Sequence, residues 1–289
     1  MTILPNESRK NGDTPVPDLS CAQLAATADA LLTLQRRIAG IRFLHSDEEY
    51  EQAAATHVRP KVAYCVVVKA AMMGRSLKLA ASRCGCNGAS RALGFAPPTE
   101  EFFDGRLYQG FGLYSDLATC RQVAGGMTYC RKPCRGILAK PLERYVDDTP
   151  DVVILATDAR NAMRFVQGYT YHHGSQPVLK MAGNQALCSE CTAHPLELDQ
   201  LNLSMLCSGT RYLARWKEHE LAIGIPYSRF ARSVDGLLKT ADAVELDPAK
   251  TSILKALLCH GLASPDFRFG HTYYTALEQK KGRPLQQHR

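Results

Sequence analysis

The run DVVILAT at residues 151–157 is the strongest constraint on the fold of this 289-residue chain. Its side chains are continuously apolar rather than alternating, which is typical of a strand that is buried on both faces of a sheet. Asp158 follows at once as a candidate N-cap, and Met163, Val166 and Tyr169 give the next segment the spacing of one helical face. Strand, cap and helix in this order predict an α/β layer, with a central strand and a helix that packs on the sheet through those three side chains.

Other segments extend this pattern. Ser20 is a plausible N-cap for a helix that we expect to run to about Gly40. Residues 62–73 are apolar enough to form a buried strand or a buried helix, and periodicity alone does not choose between the two. Residues 79–95 form a glycine-punctuated loop that leads into a short alanine-rich helix. Further strands are expected at residues 41–44, 136–143, 177–181, 201–206 and 221–227, and a further helix at residues 228–241.

The composition is that of an ordinary packed core, with 45% hydrophobic and 22% charged residues. Together with the segment order, it predicts an α/β fold: a mixed sheet with flanking helices, in one large domain or in two interleaved lobes. The expected organisation is a flexible leader at residues 1–18, the α/β domain at residues 19–262 and a loosely attached tail at residues 263–289.

The chain shows no targeting or membrane signal. Its N-terminal segment lacks the apolar core and the cleavage site of a secretory signal, and no apolar run reaches the roughly 18 residues that cross a bilayer. We therefore expect a cytoplasmic protein without a membrane span. The formal net charge is +7, but the basic residues are dispersed and no nucleic-acid-binding motif occurs, so no nucleic-acid partner is expected.

Eleven cysteines carry most of the functional signal. Disulfides do not persist in a reducing cytosol, so this many thiols indicate a bound metal or the exchange of electrons. Six of the cysteines form close sets and five stand alone: Cys84 with Cys86, Cys130 with Cys134 and Cys188 with Cys191, then Cys21, Cys65, Cys120, Cys207 and Cys259.

An ordered set of motifs runs through the same region: YCVVVKAA (64–71), CNGASRALGF (86–95), PLE (141–143), PDVVILATDARNAMRFVQGYTYHHG (150–174), LCSECTAHP (187–195), CSGTRY (207–212) and ELAIGIPY (220–227). Together these motifs resemble the ArCR family, domain of unknown function 169, which is spread through archaea and anaerobic bacteria. The resemblance covers roughly residues 24–240. It implies one family-type cysteine in each of four motifs, namely Cys65, Cys86, Cys188 and Cys207.

Four thiols that are distant in sequence, each inside such a motif, predict a four-ligand site that the fold assembles. Four thiolates suit an iron–sulfur cluster or zinc. Zinc sites usually take their ligands from two tight knuckles, whereas a cluster tolerates ligands from separated loops, so we expect a 4Fe–4S cluster with zinc as the alternative. The expected function is that of a cysteine-rich redox protein. It would serve anaerobic metabolism as an electron carrier or an accessory subunit, with a redox partner protein or a larger enzyme complex.

The remaining thiols leave alternatives open. Cys84, Cys130, Cys134 and Cys191 could build a second site beside the first. Cys130 and Cys134 lie among arginine and lysine residues, which would make them reactive if exposed, so a thiol-dependent enzyme is one alternative.

The other alternative is a metal-free protein that binds a small molecule or an organic cofactor near residues 157–160 and 209–211. Among the histidines, His194 is a candidate for completing a site, and His172 and His173 are expected at a helix C-terminus.

Overall fold

The structure, a computed structural model, describes residues 19–174, 178–241 and residue 252. Its strands are β1 (Ala39–Leu44), β2 (Thr56–His57), β3 (Leu77–Ala80), β4 (Gly136–Pro141), β5 (Val152–Thr157), β6 (Asn202–Ser204) and β7 (Leu221–Pro226). Its α-helices are α1 (Cys21–Leu32), α2 (Asp47–Gln52), α3 (Tyr64–Met72), α4 (Asn87–Ala92), α5 (Glu100–Phe103), α6 (Arg106–Gly110), α7 (Leu117–Gly126), α8 (Ala159–His173), α9 (His194–Leu198), α10 (Ser208–Ala214) and α11 (Tyr227–Lys239). Residues Ala186–Ala193 form a π-helix, and two 3-10 turns span Ala81–Arg83 and Leu142–Arg144.

The strands form one seven-stranded mixed sheet in the order β2-β3-β4-β1-β5-β7-β6. Only β2 and β3 pair in parallel, and the other neighbours are antiparallel. β5 lies between β1 and β7, with Ile41 opposite Val152 and Val153 opposite Ile225. All six residues of β5 are buried, which confirms the central, fully buried strand expected from its apolar run.

Alternate residues of β5 pack into two separate hydrophobic cores, one on each face of the sheet. Val152 and Ile154 face a core that includes α3, α4 and the π-helix. Val153 and Leu155 face a second core that includes α1, α8 and α11. Because helices cover both faces of one sheet, the fold is the α/β arrangement with flanking helices that the sequence predicts.

The chain segment between β3 and β4 forms a third, small hydrophobic cluster. Phe102, Tyr108, Cys120 and Ala124, from α5, α6 and α7, pack together apart from the two cores on the sheet. Arg91 on α4 joins this cluster to the rest, since its guanidinium carbon lies 4.3 Å from the centre of the Phe102 ring. We call α5 to α7 the helical cover.

The first helix is shorter than expected. Its predicted end near Gly40 is wrong: α1 ends at Leu32, and Thr33 takes a left-handed conformation with φ of 53°. The Asp29 carboxylate accepts a hydrogen bond from the backbone N–H of Leu34 and so fixes the turn. The chain then enters β1 at Ala39. There the backbone forms hydrogen bonds with β4 and β5 instead of helical hydrogen bonds.

Two further predictions need correction. Residues 178–181 form no strand; there the side chain of Asn202 bonds both the N–H and the C=O of Lys180, so a side chain takes the place of a ladder partner. In α8, Met163 points to solvent with half of its surface exposed, whereas Phe165 and Tyr169 are buried and Val166 is partly buried.

The remaining expectations have mixed outcomes. Residues 62–73 contain a helix, α3, and the strands near residues 41–44, 136–143, 201–206 and 221–227 are present. The predicted leader at residues 1–18, the tail at residues 263–289 and Cys259 lie outside the described residues. Within the described ranges, no helix has both the length and the apolar character needed to cross a membrane.

Candidate functional site: a cavity lined by four thiols

Four cysteines from distant parts of the chain line one cavity of about 360 Å³: Cys65, Cys86, Cys188 and Cys207. They are the same four that the family-type motifs single out. The fold therefore brings together, in one cavity, thiols that span residues 65 to 207 of the sequence. We call this space the thiol cavity.

Each of the four cysteines lies at or near the beginning of a helix. Cys86 is the N-cap of α4 and Cys207 is the N-cap of α10, where its sulfur accepts a hydrogen bond from the Thr210 N–H at 3.4 Å. Cys65 is the second residue of α3, and Cys188 is the third residue of the π-helix. The first N–H groups of a helix lack intrahelical partners, so the cysteines lie where backbone donors are available to sulfur.

Burial, however, opposes ionisation of two of these thiols. It raises the pKa of Cys65 to about 12, with the neighbouring Cys207 and Cys86 adding to the shift. Burial also raises the pKa of Cys188 well above its ordinary value, again with the other three thiols adding to it. Both thiols are therefore protonated at neutral pH, and a metal or cluster that binds them must displace protons.

The π-helix that carries Cys188 is held in place by polar contacts. The buried carboxylate of Glu190 accepts hydrogen bonds from the Ala182 N–H at 2.7 Å and from the Ser204 hydroxyl. The hydroxyl groups of Tyr64 and Thr192 lie 2.9 Å apart, which connects the beginning of α3 to the same helix. These contacts fix Cys188 relative to Cys65, the neighbour of Tyr64.

A close approach of β7 completes this support. A Cβ atom at Gly224 would collide with the backbone carbonyl of Cys191, so only glycine lets the π-helix lie directly on the strand. π-Helical segments are rare and are frequently found at functional sites. The segment that contains two of the cysteines is thus an unusual backbone packed directly on β7.

Polar and aromatic side chains share the cavity with the thiols. Arg91, Tyr108, Asn184 and Gln185 contribute to its lining. Leu107, Phe111 and Leu213 line it as well, and each is exposed over 38% or more of its surface. The cavity is therefore bounded by thiols, by a few polar groups and by an apolar rim.

The four additional cysteines lie outside the lining of the thiol cavity. Cys84 lies 3.5 Å from the carbonyl of Cys86, and Cys134 donates to the carbonyl of Gly136 at 2.7 Å. Cys191 is fully buried against β7, and Cys130 is buried near Cys134. Each of these thiols has its own neighbours, and their role as a second site stays a prediction.

Cys130 and Cys134 do not have the exposure that a reactive pair requires. Both are buried, and burial raises the pKa of Cys130 far above its ordinary value and that of Cys134 to about 11. The basic residues near them in sequence do not offset this loss of hydration. A nucleophilic role needs an accessible thiolate, and neither Cys130 nor Cys134 provides one in this structure.

The three histidines singled out from the sequence, His172, His173 and His194, do not line the thiol cavity. His194 is buried, with ring nitrogens 3.4 Å from the Thr128 hydroxyl and 3.3 Å from the Gln200 amide, and it does not line the cavity. His172 pairs with Asp235 at 2.6 Å at the end of α8. Of the clefts expected near residues 157–160 and 209–211, only Gly209 and Thr210 line the thiol cavity.

Several lining residues were not predicted from the sequence, among them Arg91, Tyr108 and Gln185. Arg91 lies inside the CNGASRALGF motif and Gln185 directly precedes the LCSECTAHP motif, so closeness to a cysteine motif was the available signal. Tyr108 belongs to the helical cover, and nothing in the local sequence marks it.

Across residues 19–174 and 178–241, no three His, Cys, Asp or Glu side chains are grouped as the ligands of one metal ion.

Comparison with known proteins identifies relatives but no activity. The profile of a family described as uncharacterised ArCR matches residues 29–236. An uncharacterised protein of Methanocaldococcus jannaschii is 23% identical over 209 residues, which covers 72% of this chain and 89% of that protein. No solved structure matches the chain.

Proposed function

Because the chain belongs to the uncharacterised ArCR family, whose description assigns no activity, we propose a function from the thiol cavity: the protein binds an iron–sulfur cluster and transfers electrons. Cys65, Cys86, Cys188 and Cys207 would hold the cluster. The observation that carries this proposal is that all four family-type cysteines line a single cavity. All four also pack in or against one hydrophobic core, but core packing alone does not require a cysteine at each of these positions.

The donor set and the space both favour a cluster. Thiolate is the ligand that iron–sulfur clusters and zinc share, and it disfavours hard cations such as magnesium. A single zinc ion holds its ligands at about 2.3 Å and fills little more than its own coordination sphere. A cavity of about 360 Å³ between four separate elements has room for a larger, polynuclear group.

The surrounding backbone suits an anionic cluster. The first turns of α3 and of the π-helix, which carry Cys65 and Cys188, present positive helix ends and unpaired N–H groups. Hydrogen bonds from such groups to sulfur raise the reduction potential of a cluster. When bound, the cluster would supply one-electron transfer, and the chain would set its potential and its access to solvent.

The apolar rim suits a partner protein. Leu107, Phe111 and Leu213 expose apolar surface where they line the cavity, and contiguous exposed apolar side chains mark interaction sites. We therefore propose that a redox partner or a larger enzyme complex docks at this rim, in the reducing cytoplasm of an anaerobic cell.

Phe111→Ser should slow electron transfer to a protein acceptor and leave the cluster content unchanged.

Anaerobic purification with iron and acid-labile sulfide analysis tests the cluster. We expect one 4Fe–4S cluster per chain, with visible absorption that bleaches on reduction. Serine variants of Cys65, Cys86, Cys188 and Cys207 should each lose most of the iron. Cys120→Ser, in the separate core of the helical cover, is the matched control and should keep it.

The same analysis separates the competing possibilities. A colourless chain that takes up neither iron nor sulfide on anaerobic reconstitution would refute the proposal. Zinc bound in place of iron, lost in the same four variants, would indicate the zinc alternative. Loss of about half the iron from serine variants of Cys84, Cys130, Cys134 and Cys191 would support the second site.

A further inference from the structure

Three buried polar atoms on residues that line the thiol cavity have no hydrogen-bond partner in the described structure: Arg91 Nε, Asn184 Nδ2 and Gln185 Oε1. Asn184 lies near Tyr114 but makes no bond of normal geometry with it. A buried polar group that lacks a partner is unfavourable, because it has lost its hydrogen bonds to water. Three of them around one cavity indicate a ligand that satisfies them.

The amide nitrogen of Gln185 is engaged, whereas Oε1 makes no hydrogen bond of normal geometry, although the Tyr129 hydroxyl lies near the amide. Its Nε2 donates to the Tyr108 hydroxyl and, at 2.9 Å, to the Met127 sulfur. The residue is 94% buried, and its backbone is left-handed with φ of 50° at the beginning of the π-helix. Such a conformation is costly for a residue other than glycine and is concentrated at binding sites.

Gly88 makes room for this side chain. A Cβ atom at Gly88 would lie 3.1 Å from Cγ of Gln185, tighter than ordinary packing allows. Since Gly88 follows Cys86 by two residues, the CNG motif positions a thiol and also admits the amide beside it. The acceptor is therefore a built part of the same cavity.

Arg91 supplies a positive charge without a carboxylate partner. No ion pair of Arg91 occurs within the described ranges, and its guanidinium rests on the Phe102 ring. Stacking holds the planar group in one orientation. A guanidinium held in this way is suited to the oxygens of a carboxylate.

We propose that the thiol cavity also binds a small organic carboxylate that carries a hydroxyl or amino group and an apolar body. Arg91 and Asn184 donate to its carboxylate, and Gln185 Oε1 accepts from its hydroxyl or amino group. Leu107, Phe111 and Leu213 contact its apolar body. An apolar lining with a few converging polar groups is typical of a small-molecule site, and the ligand would share the cavity of about 360 Å³ with the cluster. The inference rests on the proposed function in one respect, since this ligand would lie beside the bound cluster.

Isothermal titration with three probes tests the inference on the full chain. 3-Phenyllactate has the carboxylate, the hydroxyl and the apolar body; 3-phenylpropionate lacks the hydroxyl, and 2-phenylethanol lacks the carboxylate. We expect 3-phenyllactate to bind with a Kd of about 1 mM or tighter. We expect roughly tenfold weaker binding for each analogue, because each leaves buried groups of the protein unpaired. Equal binding of the three probes, or no binding of 3-phenyllactate, would overturn the inference.

Variants provide the second arm. Arg91→Gln should weaken 3-phenyllactate binding about tenfold or more and leave 2-phenylethanol binding unchanged. Arg75→Gln, on the exposed turn after α3, is the matched control and should change neither. Unaltered 3-phenyllactate binding in a folded Arg91→Gln variant contradicts the proposal. If that variant does not fold, Arg91→Lys, which keeps the charge and loses Nε–H, replaces it with the same expected order of probes.

The titration is run on the iron-loaded protein and on Cys188→Ser. An iron-loaded chain that binds none of the probes refutes this inference and leaves the proposed function intact. If the parent chain binds the probes but takes up no iron on anaerobic reconstitution, the result supports the carboxylate site and contradicts the cluster proposal.

Discussion

Cys65 shows how burial sets the chemistry of a single residue in the thiol cavity. Burial raises its pKa to about 12, so almost none of it is thiolate at neutral pH. The lone thiol is therefore unreactive, and a bound group that replaces its proton gains a thiolate ligand already held in place. Burial therefore keeps the thiols unreactive before a group binds, and the positive ends of the helices stabilise the thiolates once it is bound.

This gives a prediction for cluster-free protein. Alkylation of Cys65 by iodoacetamide should accelerate about tenfold per pH unit from pH 7 to 10 without levelling off, because only the thiolate reacts. An ordinary thiol levels off once the pH passes about 8.5 to 9. Peptide mass spectrometry gives the rate at Cys65, and free cysteine in the same tube is the reference. A plateau for Cys65 below pH 10 would contradict the raised pKa.

His194 gives a second prediction at this scale. Its burial lowers its pKa to about 4 from an ordinary value of 6.5. The unfolded chain therefore binds a proton between these values that the folded chain does not, so stability is fully present above pH 6.5 and falls as the pH falls towards 4. The loss should reach roughly 2–3 kcal/mol at pH 4.5. Urea unfolding at pH 7.5 and 4.5 should show a smaller fall for His194→Gln, and an equal fall would disprove the assignment.

At the scale of elements, the contact between β7 and the π-helix controls the position of Cys188. Gly224→Ala places a methyl group against the Cys191 carbonyl, so the buried strand β7 or the π-helix has to shift. We expect a loss of about 1–3 kcal/mol or more in unfolding free energy, together with reduced iron content. Urea unfolding and iron analysis measure the two effects.

Gly125→Ala is the matched control for this substitution. Gly125 lies in α7, and no atom lies within 4 Å of the position that a Cβ would take. Alanine is favoured over glycine in a helix, so this variant should be as stable as the parent or more stable by up to about 1 kcal/mol. If both variants behave alike, the close approach is not what positions Cys188.

The elements also show what local sequence can and cannot determine. β5 was predictable because an uninterrupted apolar run has few other stable places than the centre of a sheet. The end of α1 was not, because Thr33 takes a left-handed conformation although Gln35 and Ile38 continue the spacing of the helical face. Residues 178–181 failed for a similar reason, since the Asn202 side chain that satisfies Lys180 lies 22 residues away.

The candidate site divides in the same way. The cysteines were identifiable because each lies inside a motif, whereas Tyr108 comes from the helical cover and reaches the cavity only through tertiary packing. The amide of Gln185 depends on a π-helix, which no periodicity rule anticipates. Residue chemistry was therefore readable from the sequence, but the polar half of the cavity required the fold.

At the scale of the whole molecule, the thiol cavity joins segments that are otherwise independent. Cys65 and Cys86 lie on α3 and α4, Cys188 on the π-helix and Cys207 at the beginning of α10. Lys69, one turn after Cys65, donates to the carbonyls of Ala214 and Arg215 at the end of α10, so two of these helices are also tied at their far ends. A group bound to all four thiols would cross-link the four helices that carry them.

Loading should therefore stabilise the entire domain rather than the cavity alone. A group that binds only the folded chain, present at 100 times its Kd, adds about 2.7 kcal/mol. For a domain of this size that corresponds to a rise in Tm of roughly 5–10 °C. Calorimetry of the anaerobic protein before and after chelation measures the difference, and each variant is compared with its own chelated form so that the intrinsic cost of a substitution cancels. The difference should vanish in Cys188→Ser and persist in Cys120→Ser; an equal Tm for loaded and chelated parent protein would show that the four thiols do not act together on one group.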